Sequence, residues 1–170
     1  MEIVQVVVSA ASALATLVLG VVAYRLSKAA AAGGARRAIG DLSNHVSRIR
    51  LEYPEVMGVG AEWREGFTQR ALGPGDDDEQ RRLARYWAYV DVGLEYCNTA
   101  LVAAAEGAIS RRLFDAHHRP LIRLFLAENW RFVDDALRGP FLSAHVRDEI
   151  AAAEQEGVNF RELHRELTGS

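Results

Sequence analysis

The chain is poor in the features that most often announce an activity. Its single cysteine, Cys97, rules out an internal disulfide and suits a reducing compartment, and only four prolines interrupt its 170 residues. Sustained period-two alternation with β-branched residues is missing apart from a brief hint at Val56–Val59, so no sheet is expected. No G-x-x-x-x-G-K phosphate loop, G-x-G-x-x-G dinucleotide turn or G-x-S-x-G nucleophile elbow occurs. Two His flanking a Glu in the zinc-protease pattern, a Cys pair for structural zinc and paired Glu-x-x-His motifs for a di-iron bundle are missing as well. A net charge of −3 gives no reason to invoke nucleic acid. No cofactor or metal is therefore expected, and no enzymatic activity.

Charge is also missing locally, and this absence organises the rest. The 22 residues from Ile3 to Tyr24 contain no Asp, Glu, Lys, Arg or His. As a helix they reach about 33 Å, which matches a bilayer hydrocarbon core of ~30 Å. The stretch reads as a transmembrane anchor. Only Glu2 precedes it, and it is longer than a signal-peptide core, so retention is expected over cleavage. Arg25, Lys28, Arg36 and Arg37 all follow the span, which predicts an outside N-terminus and a cytoplasmic C-terminal bulk, with these four as membrane-surface basic residues. Ser12, Thr16 and Gly20 recur every four residues with Ser9, Ala13 and Ala23 beside them, a small-residue face suited to docking on another membrane helix.

The expected organisation is an anchor at 1–28, a juxtamembrane joint at 29–37 where alanines continue the membrane helix and Gly33 and Gly34 soften it, a cytoplasmic helical domain at 38–167 and a frayed tail at 168–170. This is an all-α architecture: one transmembrane helix followed by a small bundle of about five helices. Ile39, Leu42, Val46, Ile49 and Tyr53 form the stripe of its first helix, which Pro54 closes. Trp63 and Phe67 mark a short segment, Gly73-Pro74-Gly75 a break, and Asp76 to Glu79 the acidic start of a central helix running to Glu106. Its seam is Leu83, Trp87, Val90, Leu94, Cys97 and Leu101. Ser110 caps a short helix, Pro120 opens one running to Leu137, Ser143 to Glu156 forms another, and Asn159 caps the last.

Candidate chemistry lies along the central helix and at the histidines. Tyr86, Tyr89, Gly93 and Tyr96 form a second row in which large rings flank a gap, read either as core or as a ligand slot. Asp91 and Glu95, one turn apart, are read as buried carboxylates that serve acid/base work or pair with Arg119, Arg123 and Arg131. His117 and His118 are candidate metal ligands, whereas His145 and Glu149 read as a solvent-exposed pair.

The anchor, Leu51-Glu52-Tyr53-Pro54-Glu55, the stretch Tyr89-Val90-Asp91-Val92-Gly93-Leu94-Glu95 and the short helix before Arg119-Pro120 together resemble bacterial single-pass membrane-anchored helical proteins grouped as domains of unknown function. The resemblance implies the architecture and carries no catalytic residues. The leading expectation is a non-enzymatic accessory or structural subunit that scaffolds a larger bacterial inner-membrane complex, energy-transducing assemblies such as respiratory or photosynthetic ones included. Its partners are the membrane and other membrane-protein subunits. A membrane-anchored sensor with a ligand at the tyrosine row, and a tethered enzyme using Asp91, Glu95 or a histidine, are the competing expectations.

Overall fold

The structure, a computed structural model, describes the backbone of residues 2–56 and 77–169 and the side chains of residues 22–56 and 78–169. Among these residues every regular element is helical, and no strand occurs. The Trp63 and Phe67 segment and the Gly73-Pro74-Gly75 break lie outside the described residues.

Helix α1 runs without interruption from Glu2 to Glu52. Through the joint at 29–37 the helix is continuous, as its alanines lead one to expect: Gly33 and Gly34 cost about 2 kcal/mol together relative to Ala and do not break a ladder supported on both sides. No helix among the described residues is long and apolar enough to cross a membrane. Most of the uncharged stretch, including Ser9, Ser12, Ala13, Thr16 and Gly20, falls where the side chains lie outside those described. Ala23 is exposed.

Helix α2, Asp77–Ala105, returns antiparallel along the second half of α1. Three pairings fix that direction: Glu55 with Arg85 at 3.0 Å, Arg50 with Tyr89 at 2.9 Å, and Lys28 Nζ 4.0 Å from the position a Cβ would take on Gly107. Ile39 is buried in the shared core, and Leu42, Val46, Ile49 and Tyr53 pack against it. From the seam of α2, Leu83, Val90, Cys97 and Leu101 are buried and Trp87 and Leu94 lie at the margin.

After α2 the chain turns at Gly107, whose φ of +69° is one that L side chains rarely adopt. Ser110 then accepts from Leu113 N to cap the one-turn α3, Arg111–Leu113. A π-helical segment, Phe114–His118, joins it to α4, Arg119–Glu128. The widening follows from Pro120, which has no N–H and whose ring collides with the carbonyl four residues back in an α-helix. The adjacent Arg119 N–H reaches Phe114 O, five residues back, so the ladder passes the proline.

The helix expected from Pro120 to Leu137 is two helices, because the chain bends at Asn129 before α5, Trp130–Leu137. Asn129 Nδ2 donates to Phe125 O at 2.9 Å and Asn129 Oδ1 accepts from Tyr86 OH at 3.1 Å. A side chain that competes for the helix's own carbonyl loosens the ladder there. Helix α6, Ala144–Gln155, has Ser143 as its cap, and α7, Phe160–Thr168, has Asn159. The last helix thus extends past the expected frayed boundary, and Thr168 Oγ1 donates to His164 O at 2.7 Å. Trp130 stacks on Phe160 with centroids 5.0 Å apart, joining α5 to α7.

Candidate functional site

The tyrosine row lies between α1, α2 and α4. Tyr86 is fully buried, Tyr89 almost so and Tyr96 largely so, and Phe125 fills the gap over Gly93. Phe125 also packs its ring 5.6 Å from that of Tyr89. Burial raises the pKa of Tyr86, and pushes that of Tyr96 up to about 12. A cleft of about 110 Å³ remains beside Gly93 and Tyr96, bounded by Val46, Arg50, Leu121 and Leu124. That is below the few hundred Å³ typical of small-molecule sites.

Tyr89 belongs to a polar cluster that the periodicity did not announce. Arg50 of α1 donates Nε to the Tyr89 hydroxyl at 2.9 Å and ion-pairs with Glu128 at the end of α4. Burial works against the Arg50 charge, but Tyr89 and Glu128 together raise its pKa. This cluster ties α1 to the rest of the bundle through a cation that stays charged.

The acidic pair proposed from the sequence is not buried. Asp91 and Glu95 are both exposed, and Glu95 Oε1 accepts from Thr99 Oγ1 at 3.3 Å. They lie with Ala84 and Ala88 on the outer stripe of α2, so their separation by one turn reflects a solvated face. The arginines meet a different carboxylate. Glu149 of α6, read from the sequence as solvent-exposed, has a side chain only 5% exposed, lying 2.8 Å from Arg123 Nε and 3.4 Å from Arg119 Nε. Arg123 reaches on to Glu156 at 2.7 Å, and Arg119 to Asp115 at 2.7 Å. A signal for Glu149 was present: with Val146, Ile150 and Ala153 it lies on the inward stripe of α6. A concavity of about 340 Å³ borders this clamp, with Arg111, Phe114 and His145 on its walls.

The histidines are dispersed. His117 is exposed; His118 turns inward, its Nδ1 3.2 Å from Tyr96 OH, and burial followed by the neighbouring His117 lowers its pKa. His164 is buried and donates Nδ1–H to Ala127 O at 2.9 Å. Among the described residues no three His, Cys, Asp or Glu side chains converge as a metal site would require. Cys97 is fully buried, and burial raises its thiol pKa, the opposite of what a nucleophile needs.

Charge on α1 is arranged otherwise. Arg25, Lys28, Arg36 and Arg37 are all exposed, and no acidic residue lies between Glu2 and Asp41. No protein-family model, curated protein or solved structure matches the chain.

Proposed function

We propose that this chain is a single-pass membrane protein and a non-enzymatic accessory or structural subunit of a larger bacterial inner-membrane assembly, of the energy-transducing kind among others. One observation carries the reading: the 22 uncharged residues Ile3–Tyr24 open a helix that continues unbroken into the core of the bundle. Exposed Arg25 and Lys28 directly after the stretch support an outside N-terminus and a cytoplasmic helical domain. The small-residue face from Ser9 to Ala23 is the surface by which the anchor docks on a partner helix. Among the described residues the buried charge of Glu149 is answered by Arg123 and the half-buried Arg50 by Glu128, an arrangement suited to holding a shape.

The test is membrane fractionation of the full-length chain. Retention in the membrane pellet through alkaline carbonate, with release by detergent, is expected; a freely water-soluble chain defeats the anchor. Extraction in mild detergent is then expected to yield a species larger than the monomer, from which Thr16→Ile with Gly20→Ile releases the partner. A chain that migrates alone at monomer mass defeats the accessory role.

A further inference from the structure

We propose that the corner of the domain formed by Arg111 and Arg112, with Arg25 and Lys28 of α1, is a docking surface for anionic lipid headgroups. The inference rests on the membrane-anchor reading and adds a contact that the anchor alone does not supply.

The argument is one of height along α1. Lys28 meets the turn that follows α2, its Nζ lying 4.0 Å from the Cβ position on Gly107. Lys28 comes four positions after Tyr24, the last of the uncharged stretch, which is about 6 Å of helical rise. The headgroup layer is about 5–8 Å deep on each side of the hydrocarbon core. The end of α2 and the turn after it therefore lie at headgroup level.

The residues that the fold presents there are cationic. Arg111 and Arg112 follow Gly107 within five residues, in the turn capped by Ser110, and both are exposed, Arg111 with 87% of its side chain accessible. The acidic residues of the corner are Glu106, Asp115 and Asp148. Asp115 draws Arg119 at 2.7 Å and Arg111 at 3.7 Å, which leaves exposed Glu106 and Asp148 against Arg25, Lys28 and Arg112, a balance that is still positive. Arg36 and Arg37 lie about 18–20 Å beyond Tyr24 by the same rise, hence about 10–15 Å past the headgroup layer and more than one screening length from its charge, and so serve as an internal control.

The experiment places the full-length chain in nanodiscs of phosphatidylcholine alone or mixed with phosphatidylglycerol and follows amide exchange over residues 108–116. Exchange is expected to slow in the anionic discs by roughly 5-fold per arginine, the equivalent of about 1 kcal/mol for each basic residue near an anionic surface. The slowing should vanish in high salt and in Arg111→Glu with Arg112→Glu, and persist in Arg36→Glu with Arg37→Glu. Equal exchange in the two lipids, or slowing that survives the Arg111 and Arg112 reversal, overturns the docking surface while leaving the anchor intact. A chain that enters neither kind of disc overturns both.

Discussion

Phe125 of α4 lies so close over Gly93 of α2 that a Cβ on the glycine would come 2.1 Å from the ring Cζ. The glycine is there for clearance, in the middle of a helix that would otherwise favour alanine by about 1 kcal/mol. Gly93→Ala is expected to destabilise the domain by about 1–3 kcal/mol because the ring, 5% exposed and packed on Tyr89, must give up contacts to make room. Chemical denaturation in mild detergent measures this, and the penalty should shrink in a Phe125→Leu background. An unchanged midpoint for Gly93→Ala would show that the ring is free to yield.

Removing the buried carboxylate of Glu149 leaves two guanidinium groups facing each other's charge. Glu149→Ala is expected to cost about 3 kcal/mol, the low end for breaking a buried pair, since Arg123 and Arg119 retain Glu156 and Asp115. Asp91→Ala and Glu95→Ala, on the exposed stripe, should each change stability by less than about 0.5 kcal/mol. Equal losses from all three variants would contradict the separation of inner and outer carboxylates.

Tyr86→Phe removes only a hydroxyl, but it strands Asn129 Oδ1 at a position 3% exposed. The expected loss is about 1–3 kcal/mol, the cost of an unsatisfied buried acceptor. Restoring balance with Asn129→Leu in the Tyr86→Phe background should recover part of it, read from the same denaturation midpoints.

Acid should weaken the fold in two steps of the same sign. His118 has a folded pKa below the ordinary 6.5, so the unfolded ring takes up its proton first and stability falls as pH drops below that value. The hydrogen bond from Arg123 lowers the Glu156 pKa below 4.5, so a second decline begins only there. Denaturation midpoints measured between about pH 7 and about pH 5.5 should fall for the native chain and flatten in His118→Gln. A midpoint that rises over that interval would reverse the assignment.

Much of the helical layout follows from local signals. Ser110, Ser143 and Asn159 cap helices because their side chains reach the third amide of the following turn, and the seam from Leu83 to Leu101 needs only a 3.6-residue period to be seen. The bend at Asn129 was not visible, since it depends on Tyr86, 43 residues away in sequence. Nor was the fate of the arginines: Arg119 and Arg123 choose Glu149 over Asp91 by where α6 lies, which no spacing within α2 encodes. Asp91 and Glu95 could have been placed outward from α2 alone, because Ala84, Ala88, Asp91 and Glu95 recur opposite the seam. The long helix through Gly33 and Gly34 was legible too, since the alanines before the pair carry it and continuity outweighs two weak residues.

The continuity of α1 makes residue number a dial. Each residue turns a helix by about 100°, so one alanine added within Ala29–Ala32 would swing Arg50 and everything latched to it by that angle about the axis. Both ends would keep their own sequences, and only their mutual bearing would change. Whatever grips the opening half of this helix thereby sets the direction in which the bundle faces.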